Sequence, residues 1–597
     1  MEGHLTALLR SNDAPSEATV ISIKGLLLEP STELLATDSE IQRFSAILNE
    51  LQHKRETIQR TINGYNTILA PIRRLPADVL HDIFYHCLPT HRNSVMDASE
   101  APVLLTRICS SWRSLAFSSP RIWSKLHIPF PKNARNGAAS TWYYSPEATA
   151  VREQELASTM QLRSQVVETW LERSGDYPLS LSVYHPSSYR EEAENLEIWL
   201  SSGIFKVIVR FASRWRSLDL NMPLSMYKYL QVSVSELGYD TLPMLQDLRV
   251  SIHGQPQGNY WAQSPLALLP SPQLRTLSLN TAKATWNFRS IPLVWSRLTS
   301  LSLYSMFPDT EVLELFAKCH NLVDCKLRVQ PCDSPPPYEL AQSGVVMPFL
   351  QELSINDGGS KIVMAKAFKL VSFPALAHVE YQRTPYFAPN TEEPDHAPLS
   401  LLTLLENKSG NAIDKLSLQS DGLLPEGILG CLRRAYDAKH LSLSNPMDGR
   451  MNTAYNTGTS DSDYFDLGHL TILPDISTAA AGGDCVLLPN LERLEAYRIF
   501  SFTDQNLLNL IGSRLDAWKR GLIQAPLKSV RIEFCRPREL PDIEDAVLRI
   551  ADAVGLKVEL DLVYAKKQPK NGGFFSPSFG LRDSGDYSPD TVDSVFY

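Results

Sequence analysis

The stretch "SPQLRTLSLN", residues 271–280, sets Leu274, Leu277 and Leu279 in a short phrase: an apolar residue, two others, an apolar, one other, an apolar. Its second half alternates as a half-buried strand does, with Ser278 assigned to the opposite face. Pro272 stands two residues ahead, where a strand begins and a missing amide hydrogen does no harm. The phrase returns as WRSLDL (215), LQDLRV (245), LTSLSL (298), LVDCKL (322), LQELSI (350), LAHVEY (376), IDKLSL (413), AKHLSL (438), LGHLTI (467), LERLEA (491) and LKSVRI (527), at intervals of 24 to 37 residues. A leucine-rich chain yields single phrases by accident. Pro243, Pro348, Pro374 and Pro489 keep the two-residue offset, however, and Pro526 sits one residue ahead of its phrase, so the punctuation repeats with the pattern.

Helical patterns lie between the phrases: TEVLELFAKC (310–319), LSLLTLLEN (399–407), EGILGCLRRAYDA (426–438), NLLNLIGSRLDAWKRG (506–521) and IEDAVLRIADAVG (543–555). Strand and helix in regular alternation predict an α/β solenoid of stacked parallel strands, here over 177–564, opening with YPLSLSVY (177–184). The array resembles a degenerate leucine-rich-repeat domain. It departs from that family in lacking, at most repeats, the Asn or Cys after the third apolar position, and in its irregular period. The resemblance implies a concave strand surface, with Ser278, Ser302, Lys326, Ser354, Ser417 and Ser442 among the outward positions. Residues 385–398 and 445–463 read as insertions, and 565–597 as a disordered tail.

Ahead of the array, residues 1–36 are weakly patterned and read as loosely ordered. Thr37 three residues before Glu40 is a capping-box spacing and predicts a helix over 37–70. Ile41, Phe44, Leu48, Leu51, Ile58, Ile62, Tyr65 and Leu69 then follow at alternating spacings of three and four, with Arg55 as the break. This is either a coiled-coil seam or one amphipathic helix packed on its own chain. Next, "ILAPIRRLPADVLHDIFYHC" (68–87) starts a helix at Pro76 and spreads Leu75, Val79, Leu80, Ile83, Phe84 and Cys87 over a broad apolar face. A polar loop (89–102) leads to a second predicted helix, VLLTRICSSWRSLAFSSP (103–120), striped by Leu105, Ile108, Cys109, Trp112 and Leu115; RIWSKLHI (121–128) follows and ends like a strand.

The order Leu75, Pro76, Asp78, Val79, Leu80, Ile83, Phe84, then Ile108, Cys109, Trp112, Pro120 and Trp123 resembles an F-box of the type abundant in mushroom-forming fungi. The loop at 89–102 is longer than a compact F-box carries. The resemblance implies a three-helix unit over 71–128 that docks on a Skp-family adaptor and, through it, on a cullin-type ubiquitin ligase. The adaptor-facing set it implies is Leu75, Pro76, Val79, Leu80, Ile83, Phe84, Ile108, Cys109 and Trp112, with Leu115 and Trp123 mostly core. Residues 129–176 read as a linker and a helix.

Net charge is −9 and no long basic run occurs, which argues against a nucleic-acid partner. The best apolar run, VISIKGLLL (20–28), is too short to span a bilayer. Eight scattered cysteines without a C-x-x-C pair read as reduced thiols in the cytoplasm, the nucleus or both, and the triplet Asn407-Lys408-Ser409 as a chance glycosylation match. His81, Asp82, His86 and Cys87 crowd together but do not share a helix face. DGGSK (357–361) lacks phosphate-cradle spacing and reads as a turn. Cys319, Cys325 and Cys332 read as core thiols. No catalytic, metal or cofactor signal emerges, so the expected role is an adaptor whose array binds a protein target. The rival is a non-catalytic repeat scaffold that self-associates through 40–69.

Overall fold

The computed structural model describes residues 14–131, 146–185, 200–236, 238, 242–253, 271–281, 291, 293–332, 344–383, 398–407, 412–419, 423–445, 465–472, 486–499 and 502–564. The insertions expected at 385–398 and 445–463 lie almost wholly outside these residues, and the tail at 565–597 lies entirely outside them. The chain divides into two units, Met1–Ile83 and Phe84–Tyr597.

The first unit is dominated by α1 (Glu17–Leu69), 53 residues long. It starts some twenty residues before the predicted Thr37. Ser16 caps it, accepting the Thr19 amide at 3.3 Å, and satisfies a donor that would otherwise be unpaired. Thr37 therefore lies inside the helix and donates back to the Glu33 carbonyl at 2.9 Å, which a residue with an open first turn cannot do. The stretch read as loosely ordered is helical from Glu17 onward, and Pro30 is accommodated within it. A 3-10 turn (Pro71–Arg74) follows, and then α2 (Ala77–His86), inside which the division between the units falls.

The second unit carries strands β1 (Lys125–Pro129), β2 (Leu179–Tyr184), β3 (Trp215–Pro223), β4 (Asp247–His253), β5 (Thr276–Thr281), β6 (Ser300–Pro308), β7 (Asp324–Gln330), β8 (Val345–Val346), β9 (Glu352–Asp357), β10 (Val371–Ser372), β11 (His378–Arg383), β12 (Lys415–Gln419), β13 (His440–Ser444), β14 (Arg493–Ile499), β15 (Ser529–Phe534) and β16 (Glu559–Tyr564). Fourteen of them form one sheet in strict chain order, and β8 pairs with β10 apart from it. Every pairing is parallel. Among its described helices are α3 (Ser110–Phe117), α4 (Pro146–Arg173), α5 (Ile204–Val209), α6 (Leu224–Glu236), α7 (Val312–Lys318), α8 (Lys361–Leu370), α9 (Leu399–Glu406), α10 (Pro425–Arg434), α11 (Asp504–Lys519) and α12 (Ile543–Asp552). This is an α/β, solenoid-like arrangement, as expected.

Eleven of the twelve phrases are strands of the sheet. The exception, LGHLTI, is a 3-10 turn (Leu467–Leu470) in which Asp466 accepts the Gly468 amide at 2.8 Å. A capping carboxylate and a glycine at the second position bend the chain where the pattern asked for extension. Main-chain bonds ahead of each strand tie neighbouring repeats together. Arg275 donates to Gln246 at 2.8 Å, Thr299 to Arg275 at 2.9 Å, Val323 to Thr299 at 2.7 Å and Gln351 to Val323 at 2.8 Å, extending the ladder one step ahead of each strand. Strand entry is thus phased by backbone, so the connecting segments are free to vary in length.

The sheet also begins earlier than 177. β1, read as the end of the F-box-like segment, pairs with β2 over Lys125↔Ser180 to Pro129↔Tyr184. One core joins Phe84, Leu105, Ala116, Ile122 and Trp123 to Leu126, Trp170, Leu181 and the leucines of later strands. The Trp123 indole donates to the Ala116 carbonyl at 2.8 Å and meets Trp170 edge-on at 4.9 Å. The second predicted helix is split: Leu104–Arg107 is a 3-10 turn, and α3 begins only after Cys109, whose sulfur accepts the Trp112 amide at 3.4 Å. The 89–102 loop is packed rather than free. Val95 and Ala101 are buried, and the Ser94 carbonyl accepts the His127 amide at 2.8 Å.

Candidate functional site

The residues expected to face an adaptor separate into three groups. Pro76, Cys109, Val79 (40% exposed) and Ile108 (55% exposed) lie open to water. Leu75, Ile83 and Trp112 are half-buried. Leu80 (8% exposed) and Phe84 (0%) are buried, and Phe84 packs its ring on Trp112 at 4.9 Å. Those two keep little or no surface in water in the free chain. Trp123 is buried and Leu115 half-buried against the core, as expected. The sequence pattern missed Ile72, Leu104 and Phe117, all exposed apolar side chains of the same segment. A 3-10 turn shifts the facing of Leu104 away from helical spacing, so no period-3.6 count finds it.

A second candidate lies on the sheet face opposite the leucines. Cross-strand register aligns Ser278↔Ser302↔Lys326↔Ser354↔Glu380↔Ser417↔Ser442, so all six expected outward residues fall in one row. The row continues to Glu495, Arg531 and Asp561 on one side and to Arg249, Asp219, Ser182 and His127 on the other. Ser278 and Ser302 are themselves buried, so short side chains are what the surface admits there.

At the β1 end the row deepens into a polar recess of about 290 Å³, lined by residues of the 90–93 segment and of β1 to β4. Asn93 ties its rim to the sheet, donating to Ser182 Oγ at 3.2 Å and accepting from Ser180 Oγ at 2.9 Å. Arg92 is fixed by a bidentate ion pair with Glu100. Arg249 pairs with Asp219 at 3.2 Å, and His127 Nδ1 lies 2.9 Å from Ser182 Oγ. Burial holds His253 down at about 4, so its ring, hydrogen-bonded to Asn221, is neutral at physiological pH. Lys125 adds a cation to the lining. The recess thus presents short hydroxyls, amides, the paired Arg92 and Arg249, the Asp219 carboxylate and Lys125. Sequence reading missed it because its 90–93 wall looked like an ordinary loop.

The other motifs are structural. DGGSK ends β9 and starts α8 as a turn around a buried polar cluster. Asp357 accepts from the Tyr381 hydroxyl at 2.7 Å and from Ser400 at 2.6 Å, and pairs with Arg383 at 3.1 Å. Asp309 accepts the Ser360 amide at 2.8 Å and the Cys332 amide at 3.1 Å. Burial pushes Asp309 up and Tyr381 well up from their usual ranges. Cys319 and Cys431 are buried with thiols pushed up to about 12, and Cys325 is raised likewise, which suits packed thiols rather than nucleophiles. Asn407 spends its side-chain amide on the Phe368 and Val371 carbonyls at 3.0 and 2.9 Å. Among the described residues no group of three or more His, Cys, Asp or Glu is arranged to hold a metal ion, and no helix is long and apolar enough to cross a membrane.

No family model matches the chain, and no curated protein matches it.

Proposed function

We propose that this chain is a substrate-recognition adaptor of a cullin-type ubiquitin ligase, working in the cytoplasm, the nucleus or both. Its F-box-like segment, 71–128, docks on a Skp-family adaptor, and its polar strand row, with the recess at the β1 end, binds the target protein. The observation that carries this reading is that each unit leaves apolar side chains of the F-box-like segment in water, Val79 at 40% in the first and Ile108 at 55% in the second. Proteins bury such side chains where they can; full burial from full exposure is worth about 1.5–3 kcal/mol, and covering what is left in water of Val79 and Ile108 gains about half of that each. Leu75, Ile83 and Trp112 add their remaining exposed surface toward an association cost of at least about 4 kcal/mol. Leu80 and Phe84, buried in the free chain, would be shared between its own packing and the adaptor.

The resemblance in residue order supports the reading, and so does the extended array by supplying a long polar face. The chain would contribute proximity and orientation, with the transfer chemistry on other subunits. The rival, a repeat scaffold without a ligase role, draws on the water-exposed apolar seam of α1. Co-purification with a Skp-family adaptor separates the two. Val79→Asp with Ile108→Asp is expected to abolish it while leaving the unfolding transition in place; retention by that variant overturns the docking assignment. Deleting 70–128 is the poorer test, since it removes β1 and part of the core.

A further inference from the structure

We propose that α1 pairs with α1 of a second copy of this chain to form a coiled-coil dimer. No residue of α1 is buried. The three-four seam from Ile41 to Leu69 continues upstream in phase through Leu34, Leu27, Ile23 and Val20, with breaks at Pro30, Thr37 and Arg55. Leu34, Ile41 and Leu69 are 62%, 57% and 61% exposed. A spacing that averages 3.5 residues marks a seam made for another helix, whereas a helix lying on a globular core presents a broader stripe.

Size and charge both favour a second copy as the occupant. A helix of 53 residues is about 80 Å long, and a strip about 10 Å wide along it covers about 800 Å² per partner, the standard amount for a stable complex. Across a parallel pairing the flanking positions meet as Glu40 with Ser45, Ile47 with Gln52, Lys54 with Gln59 and Thr61 with Asn66, none of them a like-charge pair; Glu33 with Asp38 is the exception. Four of these five pairs raise no like-charge barrier to self-pairing, and they give little charge code that would select a different helix. The seam is self-complementary, as a twofold interface requires. Arg55 is the one charged residue within it; a polar group at such a position lowers stability and fixes register. The pairing does not depend on the adaptor reading.

Sedimentation equilibrium on the full chain tests it without any ligase component. The wild type is expected at about twice the 66.9 kDa chain mass. Leu48→Glu with Leu51→Glu is expected to sediment as a monomer with the array's unfolding transition unchanged, since both residues lie on the exposed helix. Arg55→Leu is expected to tighten dimerisation by about tenfold or more. A wild type that stays monomeric at tens of micromolar, a trimer or tetramer, or a dimer unaffected by the double substitution overturns the proposal.

Discussion

Phe84 is fully buried against Trp112 at 4.9 Å, whereas Val79, five residues earlier on α2, keeps 40% of its surface in water. Both were read as part of one apolar face, because sequence gives the spacing of apolar residues and not which of them its own chain covers. Phe84→Ala is therefore expected to cost about 3–5 kcal/mol through the lost contacts and the cavity left behind. Val79→Ala should change stability by less than about 0.5 kcal/mol. Urea unfolding of the two variants checks the contrast; equal losses would contradict it. The Asp357–Tyr381–Ser400–Arg383 cluster was illegible for a related reason. Its members are 43 residues apart between Asp357 and Ser400 and meet only through parallel stacking of β9, β11 and α9.

The pH response also belongs to single residues. His253 is held at about 4 by burial, below its ordinary 6.5, so its contribution is present above 6.5 and lost as pH falls through 4. Glu495 is held at about 2, against an ordinary 4.5, by His440 at 3.2 Å and by the Tyr497 hydroxyl at 3.1 Å; burial opposes the shift. Its contribution is present above 4.5 and lost toward 2. Urea midpoints are expected to fall in two steps on acidification. His253→Gln should flatten the first, between 6.5 and 4. An unchanged slope in that window would show that another group controls it.

At the scale of elements, the strands were the most legible. Their period of two, reinforced by an entry proline, needs no knowledge of the rest of the chain. Helix starts were less so. Thr37 and Glu40 satisfy the capping spacing on paper, yet Ser16 captures the role because the helical pattern continues upstream through them. LGHLTI fits the phrase and folds as a turn because Asp466 and Gly468 have a local alternative. The join between β9 and α8 shows what a single glycine can decide. A Cβ on Gly359 would lie 3.0 Å from Asp309 Cβ and 3.2 Å from both Met364 Cγ and Val329 Cγ1. Gly359→Ala is expected to cost about 1–3 kcal/mol by overpacking this join, read as a lowered melting temperature; an unchanged one would mean that the neighbours give way freely.

At the scale of the whole molecule, the F-box-like segment from Phe84 onward is not a detachable module, since it shares a core with the first strands. Sequence reading drew a boundary at 128 because proline, glycine and serine crowd the following residues, but composition does not reveal that β1 already belongs to the sheet. The packed 89–102 segment was hidden for the same reason, and with it the recess whose wall it forms. The central claim remains that the apolar side chains left in water on this segment are covered by a Skp-family adaptor. Calorimetric titration of purified adaptor into the purified chain tests it most directly. The account predicts one adaptor bound per chain, weakened about 100-fold or more by Val79→Asp with Ile108→Asp while the unfolding transition stays in place. No binding by the wild type, or equal affinity for the double variant, would contradict it.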